Sequence, residues 1–236
     1  MDHLGRHSST QFTLEMASIR SHLLRMGGLV EQQMRDCLDA FMHNDTNLAR
    51  QVIKNEDAVD RLEILIDEEC ARVLALRQPA AIDLRTIIAV SKCVSDLERI
   101  GDELSKIAQL ILQLQEEGNA PTGYIEVRNI GNKVSRMLNA ALDSFARFDA
   151  EKAVLVAATD DIIDAEYQSA MRALITFMME DPRSITRILI IMWMLRSLER
   201  VGDHARNVCE QVVYLVKGKD VRHLNSEQMA QALKKK

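Results

Sequence analysis

A chain that writes one unit twice is constrained to fold as two similar halves, and this chain does so. Shifting the second half of its 236 residues back by 104 positions restores the first. Gly27 then falls on Gly131, Val30 on Val134, Leu38 on Leu142, Asp39 on Asp143 and Phe41 on Phe145. Asp45 falls on Asp149, Ala49 on Ala153, Val52 on Val156 and Asp60 on Asp164. Further along the offset drops to 101, and ERIGD at 98–102 meets ERVGD at 199–203. A change of three residues in one loop accounts for the slip. Repeats of this kind are supersecondary units that bury a face against a neighbour.

The units read as helical. Gly and Pro number only 9 and 3, and aromatic residues make up 4%, while Leu, Ile, Ala, Met, Glu, Arg and Lys are abundant, which favours helices throughout. Val90, Val94, Leu97, Gly101, Leu104, Ala108 and Ile111 advance in steps of four and three, as do Val59, Leu62, Ile66, Cys70 and Val73. Such seams predict antiparallel bundle packing. Three long helices are expected per unit: about 13–43, 47–76 and 79–117 in the first, and 124–148, 150–179 and 182–217 in the second. Pro79 and Pro182 suit first helical turns, and Asp181 suits an N-cap. The fold class is therefore all-α, two tandem duplicated three-helix bundles. Residues 1–117 form the first, Gly118 to Gly123 a linker, 124–217 the second, and 218–236 a C-terminal tail. Gly101 and Gly202 lie on the seam, where close helix approach and room beside the acids both explain them.

Several function classes drop away. The net charge is −5 with no long basic stretch, so no nucleic-acid footprint is present; Lys234 to Lys236 read as a short solvated end. Cys37, Cys70, Cys93 and Cys209 form no CxxC and sit in helical patterns, which fits buried free thiols rather than disulfides or zinc. The N-terminus lacks an apolar signal region, giving a cytoplasmic expectation. The longest apolar run, Ile188 to Leu195, is shorter than the ~20 residues of a membrane span. It is apolar around the whole helix, which indicates either a deep core between bundles or a partner surface anchored by Met192 and Trp193.

The recurring pentapeptide places Glu98 and Asp102, and again Glu199 and Asp203, four residues apart on one helix face, where like charges repel. Second-helix acids match them: Glu56 and Asp60 in the first unit, Asp160 and Asp164 in the second. Counting from the turns near Gln78 and Asp181, both acidic pairs of each unit lie at one level of an antiparallel hairpin. Four carboxylates per bundle, without His or Cys, suit Mg²⁺, Mn²⁺, Ca²⁺ or oxidised iron. Glu63 and Asp67 extend the first cluster, but Tyr167 and Met171 stand in their places in the second, so the two sites are unequal. The plainer alternative is a solvated charged face, with Arg99 pairing to Asp102 or Glu103 and Arg200 to Asp203. His204 has no counterpart and reads as a surface residue; His3 and His7 sit in a polar end. No Glu-x-x-His, phosphate loop or nucleophile elbow appears, so no catalytic residues are assigned. A carboxylate-bridged, metal-storing or oxygen-activating bundle remains the alternative.

The two ER-x-GD copies, with MGGLVEQQM, IDEECARVLALRQPAAIDLRTIIAVSK and FMMEDPRSI, resemble the PhoU family across nearly the whole chain. The resemblance implies two three-helix bundles in the cytoplasm with surface sites for divalent or trivalent metal ions (Mg, Mn, Fe or Zn). Glu98, Asp102, Glu199 and Asp203 match its duplicated E(D)xxxD motif; Glu56, Asp60, Asp160 and Asp164 fit the same spacing. It further implies a regulator without substrate turnover. Such proteins repress phosphate-starvation genes and link the phosphate ABC transporter, through its cytoplasmic ATPase, to a sensor histidine kinase. Membrane association would then be through partners only. A homodimer is expected, and Arg99, Arg200, Met192 and Trp193 are the candidate partner contacts.

Overall fold

The computed structural model describes residues 3–118, 120 and 122–234. The side chains of His3, His7 and Lys234, the residues Lys235 and Lys236, and Asn119 and Pro121 of the linker lie outside the described residues. Among those described there are helices and no strand. In the first unit α1 spans His3–His43, α2 Thr46–Arg77 and α3 Ala81–Glu117. In the second α4 spans Tyr124–Arg147, α5 Ala150–Ala157, α6 Asp160–Glu180 and α7 Ile185–Lys217, and α8 (Ser226–Lys234) follows.

The repeat persists into the turns. Asn44 and its counterpart Phe148 both adopt left-handed backbone, with φ of 53° and 54°. The next residue caps the following helix each time: Asp45 accepts from the amides of Asn47 and Leu48, Asp149 from that of Lys152. A left-handed Phe costs about 1 kcal/mol more than an Asn there. Phe148 gains the Arg20 guanidinium, 4.7 Å above its ring, and an edge of Phe145.

α3 and α7 lie side by side at the centre and run in opposite directions. Glu103 meets Arg200 while Asp96, a turn or two earlier, meets His204 and Asn207. α1 and α2 flank α3; α4, α5 and α6 flank α7, and one continuous apolar core joins the units. A local two-fold relation appears where α1 crosses α4. Gly27 leaves no room for a Cβ against Leu142, and Gly131 none against Leu38. The glycine and leucine of each unit are the repeat-equivalents of those in the other, so each unit seats its leucine on its partner's glycine.

Two expectations are corrected, and one open alternative is resolved residue by residue. The helix predicted over 150–179 is interrupted at Ala158–Thr159, where the Thr159 hydroxyl donates to the Val156 carbonyl and competes with the helical ladder. The predicted tail is folded: α8 buries Met229, and Val221 is buried ahead of it. Its single apolar anchors are too sparse to show a period in sequence. The apolar run is core at Ile188, Ile190, Ile191, Met194 and Leu195, whereas Trp193 is 51% exposed.

Candidate metal centres

Antiparallel pairing of α2 with α3 brings the first-unit acids together. Glu56 shares hydrogen bonds with Asp102 and Ser105, and burial, then Asp102 and Asp60, push its carboxyl up to about 7. Glu98 and Glu63 are also raised, by burial first and then by each other's neighbourhood of acids. Lys106 lies 3.9 Å from Asp102 and 3.1 Å from Glu103. Asp67 accepts from Ser91 at 3.1 Å, one turn outside the cluster.

The second-unit acids are tighter. Oxygens of Asp160, Asp164 and Asp203 all lie within 4.8 Å of one another. The helix interruption makes Asp160 the first residue of α6, where the amide ends favour a carboxylate. Burial, with neighbouring acids, pushes Asp160 up to about 6 and Glu199 up to about 7, and raises Asp203. Asp160 Oδ1, Asp164 Oδ1 and Glu199 Oε2 are buried without a hydrogen-bond partner among the described residues. A Cβ on Gly202 would sit 3.4 Å from Asp160 Oδ1, so the glycine keeps that oxygen's surroundings open. Converging unpartnered carboxylate oxygens, with those of Asp160 and Glu199 raised in proton affinity, fit a hard cation, which would replace the protons and cancel the repulsion. Asp160, Asp164, Glu199 and Asp203 are the residues that would hold it.

Two arginines distinguish this cluster from the first. Where the first unit has Ser95 and Ser105, the second has Arg196 and Arg206. Arg196 pairs with Glu199 at 2.6 Å and lies over the Tyr167 ring. Arg206 meets Asp160 at 3.2 Å and Glu210 at 3.5 Å, and donates to the Leu224 carbonyl ahead of α8. The serine-to-arginine exchange is visible in the repeat; that each arginine reaches an acid of its own site is not.

The expected surface pairings are also revised. Arg200 joins Glu103 of the other unit at 2.7 Å rather than Asp203, and Arg99 forms no ion pair among the described residues. His204 is 8% exposed rather than on the surface, and its Nδ1 lies 2.9 Å from Asp96. His204 stands three residues after Val201 and four before Val208, within the buried stripe of α7, which is the signal that would have found its burial. The four cysteines are free and buried, and burial raises every thiol, Cys37 and Cys70 to about 12. They are not available as thiolates. Among the described residues no helix is long and apolar enough to cross a membrane.

The fold and these clusters define a class: a duplicated all-helical bundle carrying one carboxylate cluster per repeat. The chain belongs to the PhoU family. The model of the PhoU domain matches twice, at residues 23–111 and 127–212. The chain is 57% identical over 228 residues to the phosphate-specific transport system accessory protein PhoU homolog of Pseudomonas aeruginosa, covering 97% of this chain and 94% of the relative. It is 40% identical to the Escherichia coli K12 accessory protein PhoU, covering 98% and 95%. The crystal structure of PhoU from Pseudomonas aeruginosa superposes with a TM-score of 0.87 at 57% identity, over 88% of this chain and all of that one. That of the phosphate transport system regulatory protein PhoU from Streptococcus pneumoniae gives 0.82 at 33% identity, over 89% and 99%.

Proposed function

We propose that this protein is a negative regulator of the phosphate-starvation response and a modulator of high-affinity phosphate uptake. It acts in the cytoplasm as a metal-binding adaptor between a phosphate ABC transporter, through its ATPase, and a sensor histidine kinase. The carrying observation is the Asp160–Asp164–Asp203 cluster with its unpartnered oxygens, on a scaffold whose relatives are named accessory proteins of phosphate-specific transport. Metal sites on rigid helices give an adaptor a ligand-dependent surface without a substrate cavity. Trp193 and Met192, with Arg99 and Arg200, are the proposed contacts to a partner or a second copy, because an exposed tryptophan has the composition of an interface centre.

The test is alkaline phosphatase activity in phosphate-rich medium in a strain lacking the gene. It is complemented with wild type or with Glu98→Gln, Asp102→Asn, Glu199→Gln and Asp203→Asn combined. Restored repression by wild type alone, at equal protein level, is the expected result. Restoration by both separates the acids from signalling, and no derepression on deletion refutes the regulatory reading.

A further inference from the structure

The two acidic clusters are repeat-equivalents, yet their carboxylates are held differently. Where the first unit has Ser95, Ser105 and Glu63, the second has Arg196, Arg206 and Tyr167. Arg196 reaches Glu199 Oε1 at 2.6 Å, with its guanidinium 6.0 Å from the centre of the Tyr167 ring. Arg206 reaches Asp160 Oδ2 at 3.2 Å and is itself tied to the Leu224 carbonyl. In the first unit, among the described residues, the nearest cation to an acid of the cluster is Lys106, 3.9 Å from Asp102.

Each arginine takes one oxygen of its carboxylate and leaves the other. Glu199 Oε2 and Asp160 Oδ1 are buried without a hydrogen-bond partner among the described residues, and the two residues are only 9% and 3% exposed. Asp160, Asp164 and Asp203 bring one oxygen each to within 4.8 Å of one another. Two of the second cluster's carboxylates, Asp160 and Glu199, are therefore fixed as one-oxygen donors. Small divalent ions such as Mg²⁺ and Mn²⁺ take about six oxygens in an octahedron, whereas Ca²⁺ takes about six to eight, often both oxygens of a carboxylate. A cluster whose remaining oxygens are held by arginine meets the first demand and not the second.

We propose that Arg196 and Arg206 set the ion selectivity of the second centre, which takes a small octahedral divalent cation in preference to Ca²⁺, while the first centre, without such arginines, discriminates less. The inference rests on the metal-binding reading above and deepens it. It is separable from a simple effect of charge. A neighbouring cation weakens the binding of every divalent ion alike, whereas a held oxygen penalises only the ion that needs it.

The test is isothermal titration of full-length protein with Mn²⁺ and with Ca²⁺ at about pH 8. Glu98→Gln with Asp102→Asn disables the first centre, and Glu199→Gln with Asp203→Asn the second, so each is read alone. The ratio of Mn²⁺ to Ca²⁺ affinity is expected to be about tenfold higher at the second centre than at the first. Arg196→Ser and Arg206→Ser, which restore the first-unit residue, should each lower that ratio, and together bring it to the first-centre value. Arg196→Ser alters a half-exposed side chain away from the Leu224 tie, so it decides the matter even where Arg206→Ser loosens α8. Equal ratios at the two centres overturn the proposal, as does a second-centre ratio that Arg196→Ser leaves unchanged while both affinities rise together. In those cases Mn²⁺ still binds and the metal-adaptor reading stands; a chain that takes up Mn²⁺ at neither centre overturns both.

Discussion

Replacing Glu199 by Gln should make the metal-free protein more stable at alkaline pH. Burial and three aspartates move this carboxyl from its ordinary 4.5 to about 7. Such a group binds more protons in the fold than in the unfolded chain between about pH 4.5 and about pH 7. Its stabilising contribution is therefore complete below the unfolded value and lost as pH rises through the folded one. The full shift corresponds to about 3 kcal/mol. Solvent at the rim of the site, and loss of the half-exposed Arg196 partner, reduce the expected gain to about 1–2 kcal/mol. For a chain of this length that is a rise in melting temperature of about 3–6 °C. Thermal melts followed by circular dichroism in metal-stripped buffer read it directly. At about pH 8 the Gln variant should melt above wild type, and near pH 5 the gap should shrink. With saturating Mn²⁺ the order should reverse, because wild type alone keeps the fourth ligand. A Gln variant that melts no higher than wild type at pH 8 without metal refutes the reasoning.

Mn²⁺ affinity, measured by calorimetry, should fall as pH is lowered from about 8 to 5, because the raised carboxyls of Glu56, Asp160 and Glu199 must lose protons to bind. Gly131→Val should cost about 1–3 kcal/mol in urea unfolding through collision with Leu38, and Gly27→Val similarly with Leu142. His204→Ala should cost about 2 kcal/mol by stripping a partner from buried Asp96, where a surface histidine would cost nothing measurable. Met229→Ala should cost at least about 2 kcal/mol if α8 is docked as described, and hydrogen exchange of residues 226–234 should accelerate selectively.

The duplication and the seam spacings were enough to read the architecture, because helical period and repeat offset are one-dimensional quantities. The convergence of acids was legible for the same reason: equal distances from a turn become equal heights in a hairpin. What escaped was whatever depends on rotation between helices. Arg200 choosing Glu103 over Asp203, and His204 choosing Asp96, follow from how α3 crosses α7, which no spacing within either helix encodes. The interruption before Asp160 escaped because Ala158 and Thr159 are acceptable helix residues one at a time. α8 escaped because it is short and packs on α5 through one buried methionine and a few half-buried residues, with one polar tie to α6, from Ser226 to Asp161.

The reciprocal seating of Leu38 on Gly131 and Leu142 on Gly27 has a consequence for the origin of the molecule. An interface in which the same residue pair appears twice, with the roles exchanged, is what two copies of a single-unit chain would make around a two-fold axis. The linker adds proximity, holding the halves at high effective concentration, and packs its own Ala120 and Gly123 against the core. Once the halves were joined, each was free to diverge, and Arg196, Arg206 and His204 mark places where the two copies now differ.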